Sequence, residues 1–209
     1  MKSFLELIKE KVIVFDGAMG TYLQSLDLPI EEWGGANFEN CSENLLYTRP
    51  DAIRAVHNAF LEVGCDVIET NSFGGSEIVL KEFGIAEKTY DINLRAAELA
   101  KSVANDFSTA AQPRFVAGSI GPGTKLPTLG HITYRDLKDA YREQVRGLVD
   151  GGSDLLIVET CQDLLQTKAA LAAIFEHFER TKVRVPVIAQ VTIETFGTML
   201  NGTEIGAAL

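Results

Sequence analysis

Short apolar segments alternate with helical segments along this chain of 209 residues. Each apolar segment is nearly uninterrupted and ends in polar residues, as is typical of a strand buried on both faces. The stretches between them carry apolar residues at helical spacing, for example Ile53, Val56 and Phe60. This alternation predicts an α/β fold with a parallel sheet covered by helices and right-handed crossovers. The five predicted strands are residues 12–15, 66–70, 114–119, 154–160 and 186–193.

Local signals predict where the helices begin. Thr48 and Asp51, and later Thr133 and Asp136, have the spacing of a capping box. By contrast, residues 29–41 are polar and aperiodic, which predicts a long surface loop. The predicted helices are residues 3–11, 22–26, 48–64, 76–83, 88–107, 133–150 and 162–180, and a last one begins within residues 202–209.

Composition restricts the classes of function. The chain has 29 acidic and 19 basic residues and a net charge of −10, which disfavours nucleic acid and anionic membranes as partners. No apolar run approaches the ~20 residues that cross a bilayer, and residues 1–11 lack the apolar centre of a signal peptide. The three cysteines, Cys41, Cys65 and Cys161, match no zinc or redox spacing. A cytoplasmic protein with reduced thiols is expected.

The end of the first predicted strand has the chemistry of a binding site. Asp16 closes the strand, and the glycine-containing loop after it can point successive N–H groups at an anion. A carboxylate beside such a loop can hold a cation, so the two together suit a zwitterion such as an amino acid. A plain strand-to-helix turn with a solvated aspartate fits this stretch equally well. The loop residues are Gly17, Ala18, Met19, Gly20 and Thr21.

Other predicted strands also end in polar residues. Glu69 and Glu159 follow an aspartate by three and five residues, and because these separations differ by two, both glutamates fall on the same strand face. A carboxylate at the mouth of an apolar strand needs a partner, which a substrate ammonium would supply for Glu159. Glu69 is equally compatible with capping the next helix. Asn71 and Ser119 lie at the same edge, where parallel α/β folds place their sites.

Four motifs resemble those of the homocysteine S-methyltransferase family in order and spacing. They are DGAMGT at residues 16–21, DVIETNSF at 66–73, VAGSIGP at 116–122 and LIVET at 156–160. Each motif alone is weak, but four in sequence across essentially the whole chain are specific. The resemblance is closest to the N-terminal homocysteine-binding domain of the cobalamin-dependent members. It implies a (β/α)₈ TIM barrel, of which residues 1–209 hold about the first five βα units and lack the C-terminal part.

The resemblance also implies an activity. Family members transfer a methyl group to the thiol of homocysteine, giving methionine, and a zinc ion held by three cysteines activates that thiol. In this sequence, the loop at residues 17–21 would bind the substrate carboxylate, and Glu159 with Asp16 would bind the ammonium. The zinc cysteines would lie beyond Leu209, so this chain would hold no catalytic or metal-binding residue. We therefore expect the amino-acid half of a site, inactive by itself.

The methyl donor is open at this point. Cobalamin and methyltetrahydrofolate are implied as cofactors, served by further domains of the same polypeptide. The alternatives are a relative that uses betaine or S-methylmethionine, a relative fused to a reductase domain, and a non-catalytic amino-acid-binding module. Sequence downstream of Leu209 would distinguish them, because folate- and cobalamin-binding regions support the first interpretation.

Overall fold

The computed structural model describes residues 2–208. Four parallel strands form one sheet in the order β1-β2-β3-β4, so strands that follow each other in the chain are also neighbours. This arrangement confirms the predicted α/β class and the parallel sheet. The strands are β1 (Val67–Glu69), β2 (Phe115–Ile120), β3 (Leu155–Cys161) and β4 (Val187–Val191).

Helices occupy every connection between the strands. The four longest pack against one another in chain order, and 3₁₀ turns lie at Ala36–Phe38, Ser42–Asn44, Ala86–Lys88, Pro127–Leu129 and Ile205–Ala207. Within residues 2–208, no helix combines the length and the apolar character that crossing a bilayer requires. The helices are α1 (Phe4–Leu7), α2 (Met19–Ser25), α3 (Leu45–Thr48), α4 (Pro50–Glu62), α5 (Glu77–Glu82), α6 (Thr89–Phe107), α7 (Tyr134–Asp150) and α8 (Leu164–Thr181).

The strands contribute alternate residues to different cores, as the two-residue period of a strand requires. On β3, Leu156 and Val158 pack with side chains from α7 and α8. The residues between them, Leu155 and Ile157, belong to a separate core that includes residues of α1. Both faces of β1, β2 and most of β3 are therefore buried, which explains why these strands are almost entirely apolar.

The predicted first strand is not a regular strand. Residues 12–15 contribute a single parallel bridge, Phe15 to Val67, beside β1. Val12 and Val14 are 85% and 54% exposed, so the prediction of a buried strand here was wrong. In the described part of the chain this segment has a strand neighbour on one side only, and just its alternate residues, Ile13 and Phe15, reach a core. The sheet has four strands, and the predicted count of five βα units is not confirmed.

Several boundaries differ from the prediction. The capping box at Thr48 was wrong, because its hydroxyl donates to Asn44 O (3.4 Å) and α4 begins at Pro50, a residue suited to the first turn of a helix. At Thr133 the predicted helix start is confirmed, because its hydroxyl accepts a 3.1 Å bond from Asp136 N, but the Asp136 carboxylate accepts from that hydroxyl (2.7 Å), so the capping box is only half formed. Residues 29–41 are irregular as predicted, although Trp33 is buried. At residues 202–209 there is only a 3₁₀ turn, and Leu209 lies outside the described residues.

A buried aspartate fastens the extended segment to the sheet. Asp66 Oδ2 accepts a hydrogen bond from Val14 N (3.1 Å), and Oδ1 contacts Lys11 Nζ at 2.5 Å and Arg114 Nη1 at 3.5 Å. The Asp66 and Arg114 side chains are only 5% and 8% exposed. Loss of the carboxylate would leave a buried guanidinium and a backbone N–H without their anionic partner.

We expect Asp66→Ala to lower the free energy of unfolding by about 3 kcal/mol, because breaking a buried ion pair leaves its partner uncompensated. Urea denaturation followed by circular dichroism measures this change. Asp106→Ala is the matched control, since Asp106 is 67% exposed and lies 3.5 Å from Arg54. The control should change stability by no more than about 0.5 kcal/mol. Equal effects of the two substitutions would contradict the anchoring role of Asp66.

Candidate functional site

A cavity of about 470 Å³ lies at the carboxyl ends of β1, β2 and β3. Parallel pairing brings these strand ends to one edge, where sites of this fold class form. The structure brings together all the predicted site residues except Thr21, which is exposed on α2. The lining residues are Asp16, Gly17, Ala18, Met19, Gly20, Ser42, Glu69, Thr70, Asn71, Phe73, Ser119 and Glu159.

The predicted glycine loop is largely the first turn of a helix. α2 begins at Met19, and neither Gly17 nor Gly20 has a positive φ, so the left-handed freedom of glycine is not used. Gly17 instead leaves room for the ring of Phe60, because a Cβ there would lie 3.0 Å from its Cε1. No side chain caps this helix at Ala18, and the N–H groups of a first helical turn have no acceptor within the helix. These N–H groups can therefore receive an anion.

Asp16 is held beside the helix start by the backbone of β1. Its Oδ2 accepts a hydrogen bond from Glu69 N (3.0 Å), and its own N–H donates to Val67 O (3.0 Å). Its Oδ1 is buried and has no protein partner among the described residues. Burial, together with the charge of Glu159, raises the pKa of Asp16 to about 7. This carboxyl therefore lacks a counter-charge that a cationic ligand would provide.

Glu69 and Glu159 add two more acids to the lining of the cavity. Burial, followed by the charges of Glu159 and Asp16, raises the pKa of Glu69 to about 8. Ser119 Oγ donates to Glu159 Oε1 at 2.6 Å. No lysine, arginine or histidine is among the described residues that line the cavity. Three acids without a basic neighbour favour a cationic ligand group such as an ammonium.

The backbone turns irregularly directly after Glu159. Thr160 has a φ of +55°, in the left-handed region that β-branched residues rarely adopt. The pairing of β3 with β4 shifts register between Val158 and Cys161. Irregularities of this kind change the direction of side chains beside functional sites. Glu159 immediately precedes Thr160.

Hydroxyl groups hold the ends of β1 and β2 together below the cavity. Thr70 Oγ1 contacts Ser72 Oγ at 2.6 Å and accepts from Ser119 N at 2.9 Å. Ser72 Oγ donates to Ser119 O (2.8 Å), and Gln144 Nε2 donates to Ser72 O (2.8 Å). All four residues are buried, so the network fixes the strand ends that carry Glu69 and Ser119.

The turn at Ser42 forms another wall, which the sequence did not reveal. Asn71 Nδ2 donates to Ser42 O (2.7 Å), so this predicted substrate ligand also serves to hold the wall. The buried Glu43 accepts from Gly74 N (2.6 Å) and from Ser42 Oγ (3.3 Å), and burial raises its pKa. Thr70 and Phe73 also line the cavity. Both belong to the motif at residues 66–73, so the sequence contained a signal for them.

The cysteines do not form a metal site. Cys41, Cys65 and Cys161 are all free, buried and in three different cores. Burial raises their thiol pKa values to about 11, 12 and 11, respectively. Residues 2–208 contain no group of three or more His, Cys, Asp or Glu side chains placed to hold a metal ion. The residues described here thus do not fit the zinc ion that the resemblance implies.

Comparison with known proteins decides the family. The family model for homocysteine S-methyltransferase matches residues 13–209. The chain belongs to the homocysteine S-methyltransferase family. The resemblance inferred from four sequence motifs is therefore confirmed.

Two relatives are methionine synthases of mycobacteria. Over 205 residues, or 98% of this chain, identity is 47% with the protein of Mycobacterium leprae and 46% with that of Mycobacterium tuberculosis. The chain spans only 17% of the length of each relative.

Solved structures of one homocysteine methyltransferase share the fold. The metallated form of MmuM from Escherichia coli superposes with a TM-score of 0.79 at 22% identity, covering 97% of this chain and 71% of that one. The apo form gives a TM-score of 0.69 at 23% identity, covering 95% and 66%. The α/β fold of the present chain is thus similar to that of TIM-barrel homocysteine methyltransferases.

We predict that Glu69→Gln makes the ligand-free chain increasingly more stable than the wild type as pH rises from about 4.5 to about 8. The pKa of Glu69 is raised from 4.5 to about 8 on folding, so the folded wild type binds more protons in this window and loses stability as pH rises. Urea denaturation at several pH values measures the difference. Glu98→Gln, an exposed position on α6, should give a difference that does not vary with pH. A constant difference for Glu69→Gln would refute the prediction.

Proposed function

We propose that this chain binds the amino-acid end of homocysteine in a methyl transfer that yields methionine, as part of a methionine synthase. The observation that carries the proposal is one cavity that combines three carboxyl groups with the open first turn of α2. A negative side and a hydrogen-bond-donating side match the ammonium and carboxylate of a free amino acid. Membership of the family and identity with the two methionine synthases support this assignment.

Individual roles follow from the contacts. Glu159 binds the ammonium with help from Asp16, whose Oδ1 has no partner among the described residues. Ser119 keeps Glu159 in place through its 2.6 Å hydrogen bond. The substrate carboxylate lies against the backbone of residues 17–21, where helix N–H groups and the helix dipole favour an anion. Asn71 completes the site from the side of Ser42.

The chemical contribution of these residues is positioning. Methyl transfer forms a C–S bond, breaks the bond between the methyl group and its donor, and removes the thiol proton, so the sulfur must be presented to the methyl donor in one place. Fixing both ends of the amino-acid group leaves the side chain with few directions in which to extend. We assign no catalytic residue within residues 1–209. In this proposal the domain needs further C-terminal sequence, which would supply the catalytic residues.

The cofactors belong to the proposal for the whole protein. Zinc finds no ligand set in the described part of the chain, and cobalamin and methyltetrahydrofolate are proposed to act through other regions of a longer polypeptide. The small share of the methionine synthases that this chain covers is consistent with such regions. A cytoplasmic location remains a prediction. We further propose that residues 1–209 alone are inactive, and zinc-dependent methylation of homocysteine by them would overturn this.

Glu159→Ala should weaken the binding of homocysteine and of methionine about 30-fold or more. Glu159 is half-buried at the cavity, and loss of a charged partner that the bound ligand would cover costs about 2 kcal/mol or more, where 1.4 kcal/mol is tenfold in affinity. Isothermal titration calorimetry measures both affinities. Glu98→Ala removes an exposed carboxylate from α6 and should bind both ligands as the wild type does. Unchanged affinity in Glu159→Ala would disprove the ammonium assignment.

A further inference from the structure

One wall of the cavity is an aromatic ring that no core buries. Of the described residues that line the cavity, Phe73 is the only aromatic one. Its side chain is 46% exposed and belongs to none of the hydrophobic cores of the described chain. Met19, another apolar residue of the lining, instead packs partly against a core. Phe73 is therefore a large apolar surface that the fold leaves free for a ligand of this cavity.

The exposure of Phe73 does not result from a loose loop. The residues on both sides of it are held by hydrogen bonds, because Gln144 Nε2 donates to Ser72 O (2.8 Å) and Gly74 N donates to Glu43 Oε1 (2.6 Å). Gln144, Ser72 and Glu43 are buried. A backbone held on both sides of one residue fixes the direction in which that side chain leaves the loop. The ring of Phe73 is thus presented to the cavity by a fixed backbone.

Gly121, directly after β2, is the surface against which Phe73 lies. A Cβ at position 121 would collide with the carbonyl oxygen of Phe73 and would lie 3.0 Å from Cγ and Cδ2 of its ring. Gly121 has no positive φ, so this position needs glycine for the close approach and not for its conformation. The carbonyl of Gly121 accepts a hydrogen bond from the hydroxyl of the buried Tyr141 (3.2 Å). The place of the ring is therefore fixed from β2 and α7.

The chemistry of Phe73 differs from that of the rest of the lining. An amino acid held by its ammonium and carboxylate leaves only its side chain to contact the ring. Homocysteine and methionine have two methylene groups followed by sulfur, and both kinds of group bind favourably to an aromatic surface. A hydroxyl placed against the ring would lose its water without gaining a hydrogen bond. The ring therefore favours a side chain that is apolar and contains sulfur.

We propose that Phe73, packed against Gly121, forms the subsite for the ligand side chain and selects an apolar, sulfur-containing side chain over a polar one. The inference rests on the proposed function, since it takes an amino acid as the ligand of this cavity. Phe73 contacts the methylene groups and the sulfur while the acids hold the ammonium. Gly121 is a positioning residue, which acts through Phe73.

The test compares the binding of methionine and of homoserine to the full-length protein. Both ligands have an ammonium, a carboxylate and two methylene groups, but methionine continues with a thioether and homoserine ends in a hydroxyl. Isothermal titration calorimetry measures the affinity for methionine, and displacement of methionine measures that for homoserine. We expect the wild type to prefer methionine. Phe73→Ala should weaken methionine binding about tenfold and homoserine binding less than about threefold, because only the contact with the apolar side chain is lost.

Matched variants separate the ring from a general disturbance of the site. Phe73→Leu keeps an apolar surface and should bind both ligands within about threefold of the wild type. Gly121→Ala should reproduce the effect of Phe73→Ala, because the added methyl group displaces the ring. Phe175→Ala, at a position 47% exposed on α8, and Gly206→Ala, where a Cβ meets nothing within 4 Å, should both behave as the wild type.

The possible outcomes distinguish this inference from the proposed function. Equal weakening of both ligands by Phe73→Ala, or an unchanged affinity for methionine, overturns the side-chain subsite and leaves the proposed function intact. A wild-type preference in Gly121→Ala overturns the positioning role of Gly121. Failure of the wild type to bind both methionine and homocysteine overturns the proposed function itself. If Phe73→Ala does not fold, Phe73→Gln decides, because a polar side chain there must reduce the preference for methionine over homoserine, and an undiminished preference overturns the inference.

Discussion

Parallel pairing of β1, β2 and β3 is the constraint on which the rest of the site depends. It brings Glu69, Ser119 and Glu159, which are far apart in the chain, to one edge of the sheet. The strand interiors hold this register by burying apolar side chains on both faces. The hydroxyl network through Thr70 and Ser72 then fixes the strand ends. A polar site is thus built on a backbone whose position an apolar core determines.

The site works against the stability of the fold that carries it. Burial raises the pKa values of Asp16 and Glu69, which means that the folded chain resists full ionisation of these acids. Ordinary packing would replace such groups with apolar ones, because burying a charge without a partner is unfavourable. Their presence at one cavity indicates that a ligand completes their environment. The same acids give the cavity its affinity for a cation and lower the stability of the folded chain without ligand.

Sequence reasoning succeeded where a signal lies within one short segment. The uninterrupted apolar character of residues 155–158 was enough to predict β3, and the capping pair at Thr133 was enough to begin α7. Sequence reasoning failed where a residue distant in the sequence determines the local structure. The sequence around Val12 and Val14 is typical of a buried strand, but the folded structure shows that their side chains are exposed. At Thr48 the competing signal was local, since Pro50 opens the helix instead.

The same distinction applies to the site. Asp16 and Glu159 were identified because each closes an apolar segment, whereas the state of Glu69 depends on a carboxyl group from another strand. Glu43 gave no sequence signal, because its partner Gly74 becomes its neighbour only after folding. Gly17 was noted as part of a loop, but the sequence could not show that the ring of Phe60, 43 residues away, occupies the space that a Cβ at position 17 would need.

The extended segment beside β1 is held by a reciprocal exchange. The Asp66 side chain, next to β1, accepts a hydrogen bond from Val14 N. The Asp16 side chain, in the segment, accepts one from Glu69 N. These two side-chain bonds add to the few backbone bonds that align the segment with β1, among them Asp66 N to Val14 O (2.7 Å) and Asp16 N to Val67 O (3.0 Å). Sliding the segment by even one residue would break both bonds at once. Asp16 is consequently delivered to the cavity in a single alignment, although the segment that carries it forms only one β-bridge.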